Sequence, residues 1–102
     1  MALRPVVIGE NMEERVKPYA RTIGAGYYIP RSRYGPYSIV NNLRAIVRYS
    51  RQDRRIIDIG IDPRRVKRSN FYAAELLQLD ELGYPAEHVT HDDRYRPISS
   101  SL

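Results

Sequence analysis

The clearest pattern of a strand, a loop and a helix in the chain lies at residues 54–83, RRIIDIGIDPRRVKRSNFYAAELLQLDELG. The run IIDIGI near the start is rich in β-branched isoleucine, which favours a strand, and the Asp-Pro pair after it closes the strand. Residues 70–82 predict a helix, because leucines recur at helical spacing between an N-cap at Ser69 or Asn70 and a stop at Gly83. Four side chains of this helix are expected to face inward: Ala73, Leu76, Leu77 and Leu79.

A second helix is predicted between Ser38 and Tyr49, with Ser38 as its N-cap. The apolar residues that recur at helical spacing are Ile39, Leu43, Ile46 and Val47. Three arginines lie three or four residues apart on the opposite stripe, which is expected to face solvent: Arg44, Arg48 and Arg51.

The two strand and helix patterns are related by a shift of 33 residues, which places residues 21–50 on residues 54–83 with five identities among thirty pairs. The order of a strand, a Pro-Arg corner, a basic loop and a helix coincides in the two segments. We therefore predict an internal duplication and an α/β domain of two similar strand-loop-helix units packed together, with a groove at their junction. An α+β arrangement stays open.

The remaining segments give shorter patterns. Val6–Ile8 predicts a buried strand, and Asn11 followed by Glu14 is a capping-box pair that predicts a short helix over about 12–17, ended or kinked by Pro18. Residues 19–29 surround a Gly-Ala-Gly turn and predict a hairpin or a bulged strand. Two further expectations are a last strand over 87–92 and a frayed tail over 97–102.

Composition limits the class of protein. A chain of 102 residues supports one domain, and the absence of cysteine excludes disulfides, thiolate zinc sites and a cysteine nucleophile. No apolar run approaches membrane-spanning length, so no membrane partner is expected. The net charge of +5 is concentrated in residues 15–68, which carry fourteen basic and three acidic side chains. This segment could bind anions, or the acidic C-terminal third could neutralise it on folding.

Tyrosine and arginine are concentrated in residues 27–37, and both residue types are enriched at binding hot spots. We expect this segment and the basic loop at 64–68, which precedes a helix N-terminus, to contact a partner. Five tyrosines would supply contact area: Tyr27, Tyr28, Tyr34, Tyr37 and Tyr72. Four arginines would bind acidic groups: Arg31, Arg33, Arg64 and Arg68.

Catalytic patterns are weak in this sequence. On a helix, His88 and His91 would share a face and could act as metal ligands. The residues between them favour a strand, in which the two histidines point to opposite faces. We therefore expect an exposed polar edge and not a metal site. Asp58 resembles the first catalytic carboxylate of ribonuclease-H-like nucleases, but too few residues follow it, so a solvated strand aspartate is expected. We predict no catalytic residue, no metal and no cofactor.

The cysteine-free, tyrosine- and arginine-rich chain with the segment YYIPR at 27–31 resembles small proteins of filamentous viruses that infect hyperthermophilic archaea such as Acidianus. The resemblance implies a non-enzymatic protein in the cytoplasm of an infected host, and virion incorporation stays open. Together with the composition, it leads us to expect a protein-interaction module that binds a protein or peptide segment in the junction groove. The alternative is nucleic-acid binding by the basic middle segment and its tyrosines, and a homo-oligomer stays open.

Overall fold

The computed structural model describes residues 3–28 and 39–89 and shows a four-stranded parallel sheet flanked by helices. The elements follow one another as β1 (Val6–Ile8), a π-helical segment (Met12–Val16), α1 (Lys17–Ile23), β2 (Gly26–Tyr27), α2 (Ile39–Arg51), β3 (Ile56–Asp58), α3 (Asn70–Leu82) and β4 (Glu87–His88). This architecture confirms the predicted α/β class.

The strands lie in the order β2-β1-β3-β4, and every neighbouring pair is parallel. From β1 the chain moves outward to β2, then crosses back over β1 to reach β3, and continues in that direction to β4. Since strand crossovers are right-handed, this reversal places α1 on one face of the sheet and α2 and α3 on the other. The sheet is therefore doubly wound, and its direction changes between β1 and β3.

Helices cover both faces of the central strands. Val7, Ile57 and Ile59 pack beneath α1, whereas Val6 and Ile56 pack beneath α2 and α3. Because successive strand residues point to opposite faces, a strand buried on both sides needs apolar residues at every position. This requirement explains the continuous runs VVI and II that identified β1 and β3 in the sequence.

The prediction of a hairpin or bulged strand over 19–29 is wrong. Pro18 lies in the first turn of α1, where its missing N–H is not needed, so the helix continues past it to Ile23. Gly24 then ends the helix with a φ of 70° and a backbone N–H that points back to the Ala20 carbonyl. The short strand β2 that follows pairs with β1 in parallel and not as a hairpin.

The strands β2 and β3 are each followed along the chain by a helix on the same face of the sheet, α2 after β2 and α3 after β3. Each helix has 13 residues, and the two helices pack side by side. However, they begin 31 residues apart, at Ile39 and Asn70, and the 33-residue shift pairs Ile23 in α1 with Ile56 in β3. The internal duplication stays a prediction. The strand predicted at Val6–Ile8 is β1, and with α1 it forms a further strand-helix pair that precedes the two predicted units.

The predicted inward face of α3 needs correction. Tyr72, Leu76 and Leu79 pack against the sheet and α2, whereas Ala73 and Leu77 are exposed. Positions 72, 76 and 79 recur at helical spacing and define one stripe, so Ala73 and Leu77 lie outside it. The caps of this helix are as predicted: the Ser69 side chain accepts from the Tyr72 amide, and Gly83 ends the helix.

On α2 the most buried side chains are Ala45, Ile46 and Tyr49, while Ile39 is 37% exposed. Ile46 therefore faces the core as predicted, but the predicted stripe extends too far around the helix. The proposed cap Ser38 and the predicted tail at 97–102 lie outside the described residues, as does the predicted final strand beyond Val89.

Candidate functional site at the carboxyl edge of the sheet

The carboxyl ends of β1 and β3 approach each other closely just beyond the sheet. Gly9 follows β1 with a φ of 154°, and a Cβ at this position would overlap the Ile59 side chain and lie 3.2 Å from the Gly60 carbonyl oxygen. Only glycine meets both the backbone and the steric requirement. The two strand ends can therefore bring Glu10 against the loop between β3 and α3.

Glu10 is a buried carboxylate, 1% exposed, at the point where the sheet changes direction. Its carboxylate accepts hydrogen bonds from the backbone amides of Asp62 at 2.8 Å and Ser69 at 2.6 Å, and it lies 3.1 Å from Arg68 Nη1. The amide of Ser69 belongs to the N-terminus of α3, where the sequence suggested that an external anion could bind. In the structure the protein's own carboxylate occupies that position.

Two further charged groups hold the same loop. Burial acts to raise the pKa of Asp62, but hydrogen bonds from Asn11 Nδ2 and from the amide and guanidinium of Arg64 outweigh it and lower the pKa. Arg15 is also buried, and it donates to the carbonyl oxygens of Glu10, Ile59 and Gly60. Burial lowers the pKa of Arg15, while the charges of Asp62 and Glu10 oppose this shift.

A second network lies one strand further along the edge, on the face covered by α3. Asp58, 2% exposed, accepts hydrogen bonds at 2.7 Å from the Tyr72 hydroxyl and the Gly60 amide through Oδ1. Its Oδ2 lies 3.4 Å from Nδ1 of His88, the residue paired with it in β4. The His88 side chain is 79% exposed. A buried carboxylate thus faces a solvent-accessible imidazole.

The Tyr72 hydroxyl is held as a hydrogen-bond donor in this network. Burial raises its pKa well above the ordinary range, and both the hydrogen bond to Asp58 and the negative charge of Asp58 raise it further. The hydroxyl therefore stays protonated and stabilises the Asp58 carboxylate.

This network can position a proton acceptor. An imidazole whose Nδ1 faces a carboxylate presents Nε2 on the opposite side of the ring, and the carboxylate favours the tautomer that carries its proton on Nδ1. Nε2 is then the atom available to accept a proton. The expectation that Asp58 is solvated is wrong, because its side chain points into the layer between the sheet and α3.

Glu75 lies deeper between α2 and α3 and is partly buried. Burial raises its pKa to about 7, the nearby charge of Asp58 adds to this shift, and a hydrogen bond from Asn42 Nδ2 at 3.3 Å opposes it. Its charge is therefore coupled to the Asp58 network and to the contact between the two helices.

The predicted tyrosine surface is not assembled as expected. Tyr27 packs with the α1 side of the core and Tyr28 with the opposite side, so the two rings do not share a face. Tyr72, expected to supply contact area, is 6% exposed. Four of the predicted binding residues lie outside the described residues: Arg31, Arg33, Tyr34 and Tyr37.

Arg64 and Arg68 do lie at the carboxyl edge, but both already contact carboxylates. Arg64 lies 3.4 Å from Asp62 and 3.6 Å from Glu14, and Arg68 pairs with Glu10. The basic loop is thus partly neutralised by acidic residues of the N-terminal third and of the loop itself. The C-terminal third contributes one partner to the basic middle segment, since Glu87 pairs with Arg55 at 2.8 Å, but it supplies none of these partners of Arg64 and Arg68.

No known protein family matches this chain, and no curated protein or solved structure shows significant similarity to it. The resemblance to viral proteins therefore stays a prediction. The fold and the site define a doubly wound α/β domain with a charged carboxyl edge. Across residues 3–28 and 39–89, no helix is long and apolar enough to span a membrane, and no three potential metal ligands cluster.

Proposed function

We propose that the protein binds a small anionic ligand at the carboxyl edge of β3 and β4 and that His88 accepts a proton from this ligand or from a water beside it. The observation that carries the proposal is the buried Asp58 carboxylate between the Tyr72 hydroxyl and the exposed His88 imidazole. Open α/β sheets bind their ligands outside the carboxyl ends of their strands, next to the point where the strand order reverses. The proposed site lies at this carboxyl edge, one strand away from the reversal between β1 and β3.

Each residue of the network has a distinct role in the proposal. His88 is the catalytic residue, because its Nε2 faces outward and can contact the ligand. Asp58 is a positioning residue that faces the Nδ1 side of the imidazole, and Tyr72 is a positioning residue that fixes the carboxylate through its hydrogen bond. Proton transfer by a positioned histidine typically contributes about 10²- to 10⁴-fold to a reaction rate.

The choice of an anionic ligand follows from the loop that precedes α3. Arg65 and Lys67 are exposed in this loop, and neither forms an ion pair with a carboxylate of the described residues. They are therefore available to attract a phosphate or carboxylate group. Because Glu10 already occupies the N-terminus of α3, the anion binds on the outer side of the loop.

The proposal is tested by NMR titration of the ¹⁵N-labelled protein with inorganic phosphate, adenosine monophosphate and succinate. We expect at least one probe to shift the amide signals of residues 58–69 and 87–89 while those of α2 stay in place. The double substitution Arg65→Ala and Lys67→Ala should weaken this binding by about tenfold, which corresponds to about 1.4 kcal/mol.

Arg51→Ala, an exposed arginine on α2, is the matched control and should leave the affinity unchanged. His88→Gln should retain probe binding, because the glutamine preserves a polar side chain and the cations are intact. Probe-induced shifts that all fall outside the carboxyl edge, or an equal loss of affinity in the Arg51 control, would contradict the proposal.

A further inference from the structure

The outer face of α2 carries a groove of about 550 Å³, and no residue of the buried core lines it. Its floor is apolar and is formed by Val40, Leu43 and Val47, and Val40 is 57% exposed. Gln78 of α3 closes one side. The opposite face of α2 supplies the core contacts through Ala45, Ile46 and Tyr49. The second apolar stripe is buried only in part, because Val40 is exposed and Leu43 and Val47 are half-buried.

Arginines border the floor along the whole helix. Arg44, Arg48 and Arg51 line the groove and are exposed. Arg48 also stacks on the ring of Tyr49, with 5.5 Å between the guanidinium carbon and the ring centroid. In the part of the chain that the structure describes, no carboxylate forms an ion pair with any of the three. The groove therefore combines an apolar floor with a positive rim that no carboxylate of the described residues pairs with.

The dimensions of the groove fit a short helix. Val40 and Arg51 are eleven residues apart on α2, which corresponds to about 16 Å, or three helical turns. The floor residues are spaced as i, i+3 and i+7, the spacing at which a second helix places its own apolar side chains. A partner helix can thus contact the floor along its entire length.

Charge opposes a symmetric dimer of this chain through the groove on α2. A symmetric dimer through α2 would bring the arginines of one copy against those of the other, because a two-fold interface uses the same surface on both subunits. Like charges brought together in this way oppose association, whereas acidic side chains beside an apolar stripe would pair with the arginines of the rim.

We propose that α2 docks an acidic amphipathic helix of a partner protein, with its apolar stripe on Val40, Leu43 and Val47 and its carboxylates on Arg44, Arg48 and Arg51. This retains the protein-binding function expected from the sequence but places it on α2 and not on the tyrosine segment. The surface is separate from the carboxyl edge, and the two proposals stand or fall independently.

The test uses an acetylated probe peptide of about eighteen residues, which allows three bound turns and frayed ends. Leucines occupy positions i, i+3, i+4 and i+7, glutamates flank them, and a second peptide carries lysine in place of every glutamate. Fluorescence anisotropy with the full chain should show micromolar binding of the acidic peptide and none of the basic peptide at the same concentrations.

Charge reversal provides the decisive comparison. Arg44→Glu with Arg51→Glu should weaken binding of the acidic peptide by about tenfold or more and should create binding of the basic peptide. The control Arg4→Glu with Arg21→Glu replaces two exposed arginines on other surfaces. It changes the net charge equally and should leave the acidic peptide's affinity unchanged. Circular dichroism confirms that each variant is folded.

Three results would overturn the proposal. Equal losses in the two double variants would show only a general charge effect. Failure of the basic peptide to bind the charge-reversed protein would remove the pairing with the rim. Displacement of the acidic peptide by a single-stranded oligonucleotide that binds the same arginines more tightly would assign the groove to nucleic acid.

Discussion

Glu75→Gln should make the protein more stable at alkaline pH without changing its stability near pH 4.5. Glu75 has a pKa of about 7 in the folded protein, against an ordinary value of 4.5, mainly because burial between α2 and α3 disfavours its charge. The folded state therefore binds this proton more tightly than the unfolded state does. Stability is highest when the group is protonated in both states, and it falls as the pH rises from 4.5 to 7.

The size of the effect follows from the shift. A difference of about 2.5 pH units at about 1.4 kcal/mol per unit gives a penalty of about 3 kcal/mol above pH 7. The substituted amide carries no charge at any pH, and its carbonyl oxygen can still accept the hydrogen bond from Asn42. The free energy of unfolding of the variant should thus exceed that of the parent by about 3 kcal/mol at pH 8, and its melting temperature should be roughly 12 °C higher or more.

Urea unfolding followed by circular dichroism, at several values between pH 4.5 and pH 8 and constant ionic strength, measures this difference directly. Glu81→Gln, an exposed position on the same helix, is the control for the loss of one negative charge from α3. A difference between variant and parent that stays constant across this pH range would refute the reasoning, as would a variant that is less stable at pH 8.

Three substitutions test the networks at the carboxyl edge by urea unfolding. Gly9→Ala should destabilise the protein by about 2 to 4 kcal/mol, because the added Cβ overlaps Ile59 and the backbone conformation is strained for alanine. A loss of unfolding free energy below about 0.5 kcal/mol would show that the ends of β1 and β3 can separate freely. Glu10→Gln should cost about 1 to 3 kcal/mol, because one of the amides of Asp62 and Ser69 loses its acceptor, while the exposed control Glu13→Gln should have little effect. Tyr72→Phe should cost about 1.5 to 3 kcal/mol through loss of the hydrogen bond to the Asp58 carboxylate, and an unchanged midpoint of unfolding would contradict a stabilising role of this hydrogen bond.

The elements of the fold were largely predictable from local patterns. The buried strands produced continuous apolar runs, and Ser69 and Gly83 marked the ends of α3 by their capping preferences. The error at 19–29 arose because a proline usually ends a helix, but Pro18 lies in the first turn, where it is tolerated. The parallel pairing of β2 was not predictable from its two residues, because β1 supplies all of its ladder partners.

The site was much less predictable, because its contacts join distant parts of the chain. Glu10 reaches the Ser69 amide 59 residues away, and the burial of Asp58 depends on β4 and α3 packing beside β3. One signal was present in the sequence: both carboxylates come at or just after the end of a buried strand. In a parallel sheet such positions meet at one edge, but the parallel arrangement had to be known first.

The tautomer of His88 tests the central claim most directly. Long-range ¹H–¹⁵N NMR correlations on the neutral imidazole distinguish a proton on Nδ1 from one on Nε2, and the variant His91→Gln assigns the signals of the two histidines. The Asp58 network predicts the Nδ1–H form in the native protein, with Nε2 as the acceptor, and loss of this preference in Asp58→Asn. A native His88 that carries its proton on Nε2, or a preference that Asp58→Asn leaves intact, would contradict a positioned proton acceptor at this edge.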